Sequence, residues 1–292
     1  MKKIYFTLLI LSLCLFLRGQ HSPIYSQYMN NPLIINPAYA GTKDALSFTG
    51  MYRDQWVGFG GAPKTLFFSA HSPLKNKKIN LGVNLISDHF GITDQNLIQG
   101  IYSYRLYFKK SSLSFGLAVG INMIRNNWNQ ITTTVSNDIV FANTYSQQNL
   151  LQTGFGMYYT SAKFYAGISA PNLIKQNASD YKPSMLMAGY IFDISSDFKI
   201  KPSVLVKYIN ASPIEVDFNT NFYFRQLGLG FSYRTQDACI FMLNWYVNQQ
   251  FMFGYAYDYT TSKLGTFVSG SHEIVLSYLF GYKVNPVSPR YF

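Results

Sequence analysis

"LSFGLAVGINM" (residues 113–123) decides the fold class, because large apolar residues alternate with small or polar ones along its whole length. The alternation has a period of two residues, which is the period at which side chains change face along a β-strand. One face carries Leu, Phe, Val, Ile and Met, and the other carries Ser, Gly, Ala and Asn. The stretch therefore predicts a strand with one apolar face and one small, polar face.

The same pattern recurs along the rest of the chain. Strands are predicted near residues 45–56, 64–73, 79–87, 96–108, 112–125, 150–160, 163–170, 184–194, 198–209, 213–224, 227–235, 238–247, 251–260 and 271–280. Segments of about ten residues with this dyad pattern, separated by polar turns, are typical of transmembrane barrels. The long connections, chiefly 126–149, 171–183 and 261–270, all follow odd-numbered strands. One rim would then carry short periplasmic turns and the other long outer loops.

Composition separates this barrel from a soluble β-sandwich, which also alternates. The chain has 24 Tyr and 24 Phe, and charged residues make up 13% of it. After the first 19 residues no apolar run approaches the roughly 18–20 residues that a membrane helix needs. Only a closed barrel then satisfies every backbone group in lipid. We expect an all-β, antiparallel transmembrane barrel of about 14 strands in an outer membrane.

The ends of the chain predict its organisation. Residues 1–19 have the pattern of a signal peptide, with Lys2 and Lys3 before an apolar run and Gly19 at the cleavage point. We assign residues 20–43 to an N-terminal luminal plug, 44–280 to the barrel and 281–292 to a C-terminal tail. Cys239 is then the single cysteine, which excludes an internal disulfide.

Charge gives weaker information about partners. Of the 24 basic residues, 21 lie outside the signal peptide, against 13 acidic residues. They are scattered, and the one basic run is at residues 75–78. We therefore expect no nucleic-acid partner, and the surplus suits contact with anionic lipid or glycan surfaces.

The plug is predicted from "QYMNNPLIINPAYAGT" (residues 27–42), which has neither a helical nor a strand period. Each of its two Asn-Pro steps favours a turn, since proline fixes its own φ and biases the preceding residue to extended conformations. The inward face of the predicted wall is rich in Gly, Ala and Ser, which leaves space in the lumen. The motif residues of this plug are Gln27, Tyr28, Asn31, Pro32, Asn36, Pro37, Ala38 and Gly41.

These stretches resemble a known family. "YSQYMNNPLIINPAYAGT", "YRDQWVGFGGAPKTLFFSAHSPL", "GISAPNL" and "GSHEIVLSYLF" are similar to the PorP/SprF family of the Bacteroidetes type IX secretion system, and "NPAYAG" resembles the plug of FadL-type lipid transporters. The resemblance implies a FadL-like outer-membrane barrel that is not an enzyme. Its partners would be the secretion machinery and a secreted or surface-anchored protein, such as a gliding adhesin. The family motif on the first hairpin comprises Tyr52, Arg53, Gln55, Trp56, Pro63, Ser69 and His71.

Two functions stay open from the sequence. The first is a secretion component whose outer loops hold a partner protein, chiefly through loop 126–149 with Trp128, Ile131, Phe141 and Tyr145. A few buried aromatics usually carry most of the affinity of such a surface. The second is a FadL-like conduit for a hydrophobic or small solute. A conduit needs a movable plug, whereas an anchor can be sealed.

Catalytic and metal-binding patterns are not found. The four histidines have no spacing suited to a metal, and no nucleophile elbow or phosphate loop is present, so no cofactor is expected. Charges on the predicted inward face can either be solvated in a wet lumen or lock the plug to the wall. They are Arg53, Arg105, Lys207, Glu215, Asp217 and Arg234, with Asp258 and Glu273 in the same phase.

Two finer expectations concern single side chains. Lys207 is expected to pair across its hairpin with Glu215 or Asp217, because all three share the inward phase. Tyrosines near strand ends are expected to form interfacial girdles. The candidates are Tyr102, Tyr104, Tyr107, Tyr158, Tyr159, Tyr223, Tyr257 and Tyr259.

Overall fold

The computed structural model describes residues 25–128, 145–174, 182–210 and 212–281. The predicted signal peptide, residues 20–24 of the predicted plug, most of loop 126–149 and residues 282–292 of the C-terminal tail lie outside these residues. The strands are β1 (Leu46–Asp54), β2 (Lys64–Pro73), β3 (Ile79–Phe90), β4 (Thr93–Tyr107), β5 (Ser111–Asn127), β6 (Tyr145–Ser161), β7 (Phe164–Ala170), β8 (Ser184–Tyr190), β9 (Phe192–Asp193), β10 (Phe198–Tyr208), β11 (Glu215–Phe224), β12 (Leu227–Arg234), β13 (Ala238–Tyr246), β14 (Phe251–Thr260) and β15 (Ser271–Phe280).

The sheet closes on itself. Sequential strands pair antiparallel along the chain, β15 pairs with β1, and β10 pairs with β11. β8 and the two-residue β9 both pair with β10, so together they occupy one position in the wall. The result is a closed barrel of 14 strands with one extra strand fragment, which confirms the predicted antiparallel barrel and its strand number. No helix among the described residues is long and apolar enough to span a bilayer.

Side chains alternate between the lumen and the outer surface. Along β12, for example, Gly228, Gly230, Ser232 and Arg234 are buried while Leu227, Leu229, Phe231 and Tyr233 are exposed. Large exposed apolar residues recur on all sides of the barrel. They include Leu66, Phe68, Leu85, Ile98, Leu117, Val119, Ile168, Leu186, Phe218, Phe241, Leu243, Ile274 and Leu276. An apolar outer surface of this extent is what a barrel presents to lipid.

The tyrosine girdle is only partly as expected. Tyr102, Tyr104, Tyr107 and Tyr259 are exposed on the outside of the wall. Tyr158 and Tyr223, however, are buried inside it at 1% and 3% exposure, so their assignment to the girdle is wrong. Adjacent residues of a strand point to opposite faces, so Tyr158 and Tyr159 cannot both face lipid.

The outer parts of β3 to β6 are longer than the sequence predicts. β5 and β6 each have 17 residues, against the roughly 9–11 that span a bilayer. The polar residues 88–94, which lie between the predicted strands 79–87 and 96–108, continue the β3–β4 ladder up to the pair Phe90 and Thr93. Backbone hydrogen bonds between paired strands form outside a bilayer as well as inside it. A polar hairpin can therefore continue beyond the membrane. The wall is therefore tallest along β4, β5 and β6.

Candidate functional site

Residues 25–45, which we call the N-terminal segment, form three short 3₁₀ helices ahead of β1. The helices are Tyr28–Asn30, Pro32–Ile34 and Pro37–Tyr39. The second and third begin with the proline of an Asn-Pro step, where the missing N–H of proline costs nothing. Asn36 precedes its proline in an extended conformation and accepts a hydrogen bond from the Ala38 N–H at 2.9 Å. The two Asn-Pro steps thus set the turns of the segment.

The segment is buried against the inner wall. Leu33, Ala38, Tyr39 and Ala40 are at most 2% exposed, and they belong to an apolar cluster with side chains from several strands. The Tyr39 and Tyr158 rings meet edge to face, with their planes perpendicular and their centroids 5.4 Å apart. Aromatic pairs of this kind contribute about 0.5–1.5 kcal/mol beyond the area they bury.

Hydrogen bonds join the segment to strands on all sides of the barrel. Neutral polar side chains of the wall supply most of these bonds. The pairs are Asn31 with Ser69 (2.8 Å), Asn36 with the Met157 carbonyl (3.0 Å), the Ile35 carbonyl with Ser169 (2.6 Å), Tyr28 with Asn219 (2.6 Å), Asn30 with Asn244 (2.8 Å) and the Gly41 N–H with His71 Nδ1 (2.9 Å). Contacts to opposite parts of the wall fix both the position and the orientation of the segment.

An ion cluster holds the start of the segment. Arg53 on β1 donates to Asp258 on β14 at 2.7 Å and to Glu273 on β15 at 3.2 Å. Glu273 accepts the backbone N–H groups of Ser26 at 2.9 Å and Gln27 at 2.7 Å. The Ser26 hydroxyl donates to Asp258 and accepts from Arg53. All three charged side chains are at most 3% exposed, so the bonds between them are charge-assisted and dry.

A second ion cluster lies next to the first. Arg234 makes a bidentate pair with Asp217, its direct neighbour across β11 and β12, with both N–O distances 3.0 Å. It also donates to the Tyr25 carbonyl at 3.1 Å. Lys207 lies opposite Glu215 in the β10–β11 ladder, with Nζ 3.6 Å from Oε1. Of the two acids expected to pair with Lys207, Glu215 lies next to it, whereas Asp217 pairs with Arg234.

The remaining predicted luminal cation, Arg105, binds the other end of the N-terminal segment. Arg105 on β4 is buried and donates to Asp44 at 3.0 Å. The predicted luminal charges therefore lie on the inward face and mostly bind each other or the segment. Most of these charged side chains are buried and paired with an opposite charge.

Glycines in the wall let the segment approach closely. A Cβ at Gly116 would collide with the backbone of Pro37 and Ala38, and one at Gly156 would collide with the Asn36 side chain. Backbone atoms cannot move aside as a flexible side chain can, so the segment requires glycine at position 116. At position 156 an added methyl group would displace the Asn36 amide from its bond to the Met157 carbonyl.

We expect Gly116→Ala to destabilise the folded barrel by about 1–3 kcal/mol, the usual cost of overpacking. The added methyl group would push residues 37–38 away from β5. Urea unfolding followed by tryptophan fluorescence measures the change. Gly100→Ala is the matched control, since the nearest atom there is a carbonyl oxygen 3.8 Å from the added Cβ. Equal stabilities of the two variants would contradict the close packing.

The first-hairpin motif is divided between the two faces of the wall. Tyr52 is 44% exposed and points outward. Gln55 is buried, and its N–H donates to the Pro63 carbonyl at 2.9 Å across the turn. Trp56 has a positive φ of 52° and donates its N–H to Ser271 at 3.0 Å. Gln55, Trp56 and Pro63 therefore shape the outer turn, whereas Arg53, Ser69 and His71 bind the N-terminal segment or its ion cluster.

Most of the loop expected to bind a partner lies outside the residues that the structure describes. Ile131 and Phe141 lie outside the described residues. Trp128, half-buried, directly follows β5, and Tyr145 begins β6. The structure therefore places the two ends of this loop on the tallest part of the wall.

Sequence reasoning missed the neutral wall residues that bind the segment, namely Asn84, Ser103, Ser169, Asn219 and Asn244. These residues could have been found in the sequence as polar residues that face inward on a strand and have small residues beside them on the same face. Among the described residues no group of three or more His, Cys, Asp or Glu could hold a metal ion. The exposed pair of His89 and Asp94, 2.6 Å apart, belongs to the β3–β4 hairpin. Taken together, the wall contacts described above are suited to holding the N-terminal segment in place.

Comparisons with known proteins bear on the family and the fold of the chain. A family model described as "Type IX secretion system membrane protein PorP/SprF" matches residues 17–278. The crystal structure of the outer membrane protein Omp33 of Acinetobacter baumannii is similar at a TM-score of 0.50 and 7% identity, covering 82% of this chain and 100% of that one. The CymD monoaromatic hydrocarbon channel gives a TM-score of 0.49 and 15% identity, covering 91% and 95%. No curated protein matches the chain significantly.

Proposed function

The chain belongs to the PorP/SprF family of type IX secretion system membrane proteins, and from this premise we propose that it is a sealed anchor for a secreted or surface-attached protein. It is a membrane protein with the outer-membrane β-barrel fold, and its location is the outer membrane. Membership of a family of secretion-system membrane components is consistent with a non-enzymatic role. The partner in this proposal is a protein substrate of the secretion machinery, such as a gliding adhesin.

The observation that carries the proposal is the fixation of the N-terminal segment. In our proposal residues 25–43 of this segment are the described part of the luminal plug that was expected over residues 20–43. A hatch that moves with each solute would have to break the hydrogen bonds of Ser26 and Tyr25 to the ion clusters of the wall, together with the contacts at Asn31, Asn36 and Gly41. Each hydrogen bond to a charged group contributes about 1.5–3 kcal/mol. The network therefore favours an anchor over the alternative, a conduit for a hydrophobic or small solute.

The tall hairpin supports an outer binding surface. β5 and β6 exceed a bilayer-spanning strand by roughly six residues each, which corresponds to about 20 Å along the strand. The hairpin would raise loop 126–149 above the membrane, where a partner could reach Trp128 and the apolar residues that follow it in sequence.

Replacing residues 130–144 with a short Gly-Ser turn tests the proposed partner site. We expect the trimmed barrel to stay folded in the native outer membrane and to lose most of the protein that co-purifies with the intact barrel. Quantitative mass spectrometry after affinity purification measures the loss. Shortening residues 263–268, which join β14 and β15 on the same rim, is the matched control and should retain the partner. Retention of the partner after the first trim would move the binding site to another surface.

A further inference from the structure

The rim that carries the short turns has an uneven distribution of charge. Five exposed lysines lie in two of its turns, with Lys75, Lys77 and Lys78 between β2 and β3 and Lys109 and Lys110 between β4 and β5. Neither turn contains an acidic residue. Asp44 lies 3.9 Å from Lys77 and is shared with the buried Arg105, so the lysines still outnumber the acid beside them. We call these five lysines the basic patch.

Other turns of this rim are balanced or neutral. Lys163 between β6 and β7 lies 3.0 Å from Asp193, and Arg225 between β11 and β12 lies 3.1 Å from Asp197. The β13–β14 turn at residues 247–250 has no charged side chain. Among the turns that the structure describes, the surplus positive charge of this rim is therefore concentrated on the side of the barrel formed by β2 to β5.

Hydrogen bonds hold the two lysine-bearing turns together. The Tyr107 hydroxyl donates to the Lys77 carbonyl at 3.0 Å, and the Arg105 N–H donates to the Lys78 carbonyl at 2.7 Å. The Asn76 side chain accepts the N–H of Lys78 at 3.0 Å. Neighbouring strands lie about 4.8 Å apart, so these turns, two strand positions apart, are separated by roughly 10 Å. The backbone thus fixes the lysines in one patch.

An apolar outer surface adjoins the basic patch. Leu74 and Phe108, which directly precede the lysines of the two turns, are 44% and 57% exposed. The neighbouring outward-facing residues of β3 to β5 include Leu81, Tyr102, Tyr104, Leu106 and Leu117, all exposed. This surface faces the hydrocarbon core, and tyrosines mark its boundary. The lysines that follow it therefore lie at the depth of the lipid headgroups.

The charge of the basic patch favours one class of lipid. Short turns mark the periplasmic rim of an outer-membrane barrel, so the headgroups at this depth belong to the periplasmic leaflet. A zwitterionic headgroup carries a positive group close to its phosphate, whereas an anionic headgroup presents the phosphate charge without that compensation. Each lysine near an anionic surface strengthens attraction to it by roughly fivefold.

We propose that the basic patch binds the phosphate group of an anionic phospholipid of the periplasmic leaflet, whose acyl chains lie on the apolar outer surface of β3 to β5. The patch and this surface are continuous, so a single lipid can contact both. The site lies on the opposite rim from the proposed partner surface, and each can be present without the other.

Native mass spectrometry of the full-length barrel in a non-ionic detergent tests this lipid site. The probes are phosphatidylglycerol and phosphatidylcholine with identical acyl chains, and the dissociation constant of the first bound lipid is measured for each. We expect phosphatidylglycerol to bind about fivefold or more tightly, because its net charge is balanced by the lysines. Equal binding of the two lipids overturns the proposal. This comparison uses the unchanged protein and does not depend on the folding of any variant.

Paired variants locate the site. Lys109→Gln with Lys110→Gln, and Lys75→Gln with Lys78→Gln, should each weaken binding of phosphatidylglycerol about tenfold or more and leave that of phosphatidylcholine unchanged. Lys64→Gln with Lys263→Gln is the matched control, since it removes two exposed lysines from the opposite rim. The control should bind phosphatidylglycerol as the unchanged protein does. An equal loss in the control would assign the effect to overall charge and overturn the patch.

Soluble anions distinguish a lipid from other sources of negative charge. Inorganic phosphate and a short poly-glutamate peptide, each added at the concentration of the lipid, should not displace phosphatidylglycerol, because neither has acyl chains to place on the apolar surface. Displacement by phosphate would show that the patch binds free anions. Displacement by the peptide would assign the patch to an acidic protein segment. Either result overturns the lipid site.

Discussion

Replacing Arg53 with methionine is expected to lower the free energy of unfolding of the barrel by about 3–5 kcal/mol, the cost of leaving buried charges without their partner. Arg53 is 2% exposed and stands between Asp258 and Glu273. Without its guanidinium group, two carboxylates remain in a dry interior. Methionine fills a similar volume, so the loss reports the charge and its hydrogen bonds more than a cavity. Urea unfolding in lipid vesicles, followed by tryptophan fluorescence, measures it.

Lys64→Met is the matched control for this prediction. Lys64 and Asp54 lie 4.0 Å apart on the same hairpin, and the lysine side chain is 56% exposed. Exposed pairs contribute about 0–1 kcal/mol, so the control should unfold almost as the unchanged protein does. Arg53→Lys should fall between the two, because it keeps the charge and loses the planar fork. A loss below about 1 kcal/mol in Arg53→Met would show that the buried cluster contributes no more to stability than an exposed pair does.

Deleting residues 25–41 is expected to turn the barrel into a pore that small sugars cross. Where the segment packs against the wall, small residues face it, among them Gly116, Gly156 and Gly254. Side chains of this size do not fill the interior of a 14-strand barrel. Swelling of vesicles in an iso-osmotic sugar solution measures the permeability.

Folding has to be separated from permeability in this experiment. Folded barrels migrate differently from unfolded ones on an unheated denaturing gel, so only preparations that pass this check are compared. The full-length protein in the same vesicles is the control and should give no swelling. Equal swelling of both proteins would show that the segment does not close the lumen.

Strand number and side-chain phase could be predicted from the sequence because both follow from a period of two. The inward positions of Arg53, Lys207 and Arg234 needed no further information. Partners within the network were harder to predict. Asp217 and Glu215 share one face, and only the register, which sets Arg234 opposite Asp217, decides which acid each cation receives.

Features that do not follow the two-residue alternation could not be predicted from the sequence. The strands β3 to β6 continue beyond the membrane, where the apolar alternation that marks a strand in sequence is no longer required. Tyr158 and Tyr223 were assigned to the lipid interface from residue type, although their strand phase directs them inward. The neutral residues Ser169 and Asn219 have no signal of their own, because their role depends on where the segment lies.

Single-channel recording of the unchanged, full-length protein in a planar bilayer tests the sealed-anchor account most directly. The N-terminal segment binds strands on opposite sides of the lumen, so we expect no porin-like current from the full-length barrel. Large, stable current steps should appear only with the barrel that lacks residues 25–41. Steady porin-like steps from the full-length protein would contradict the account, because they would require an open path past the segment.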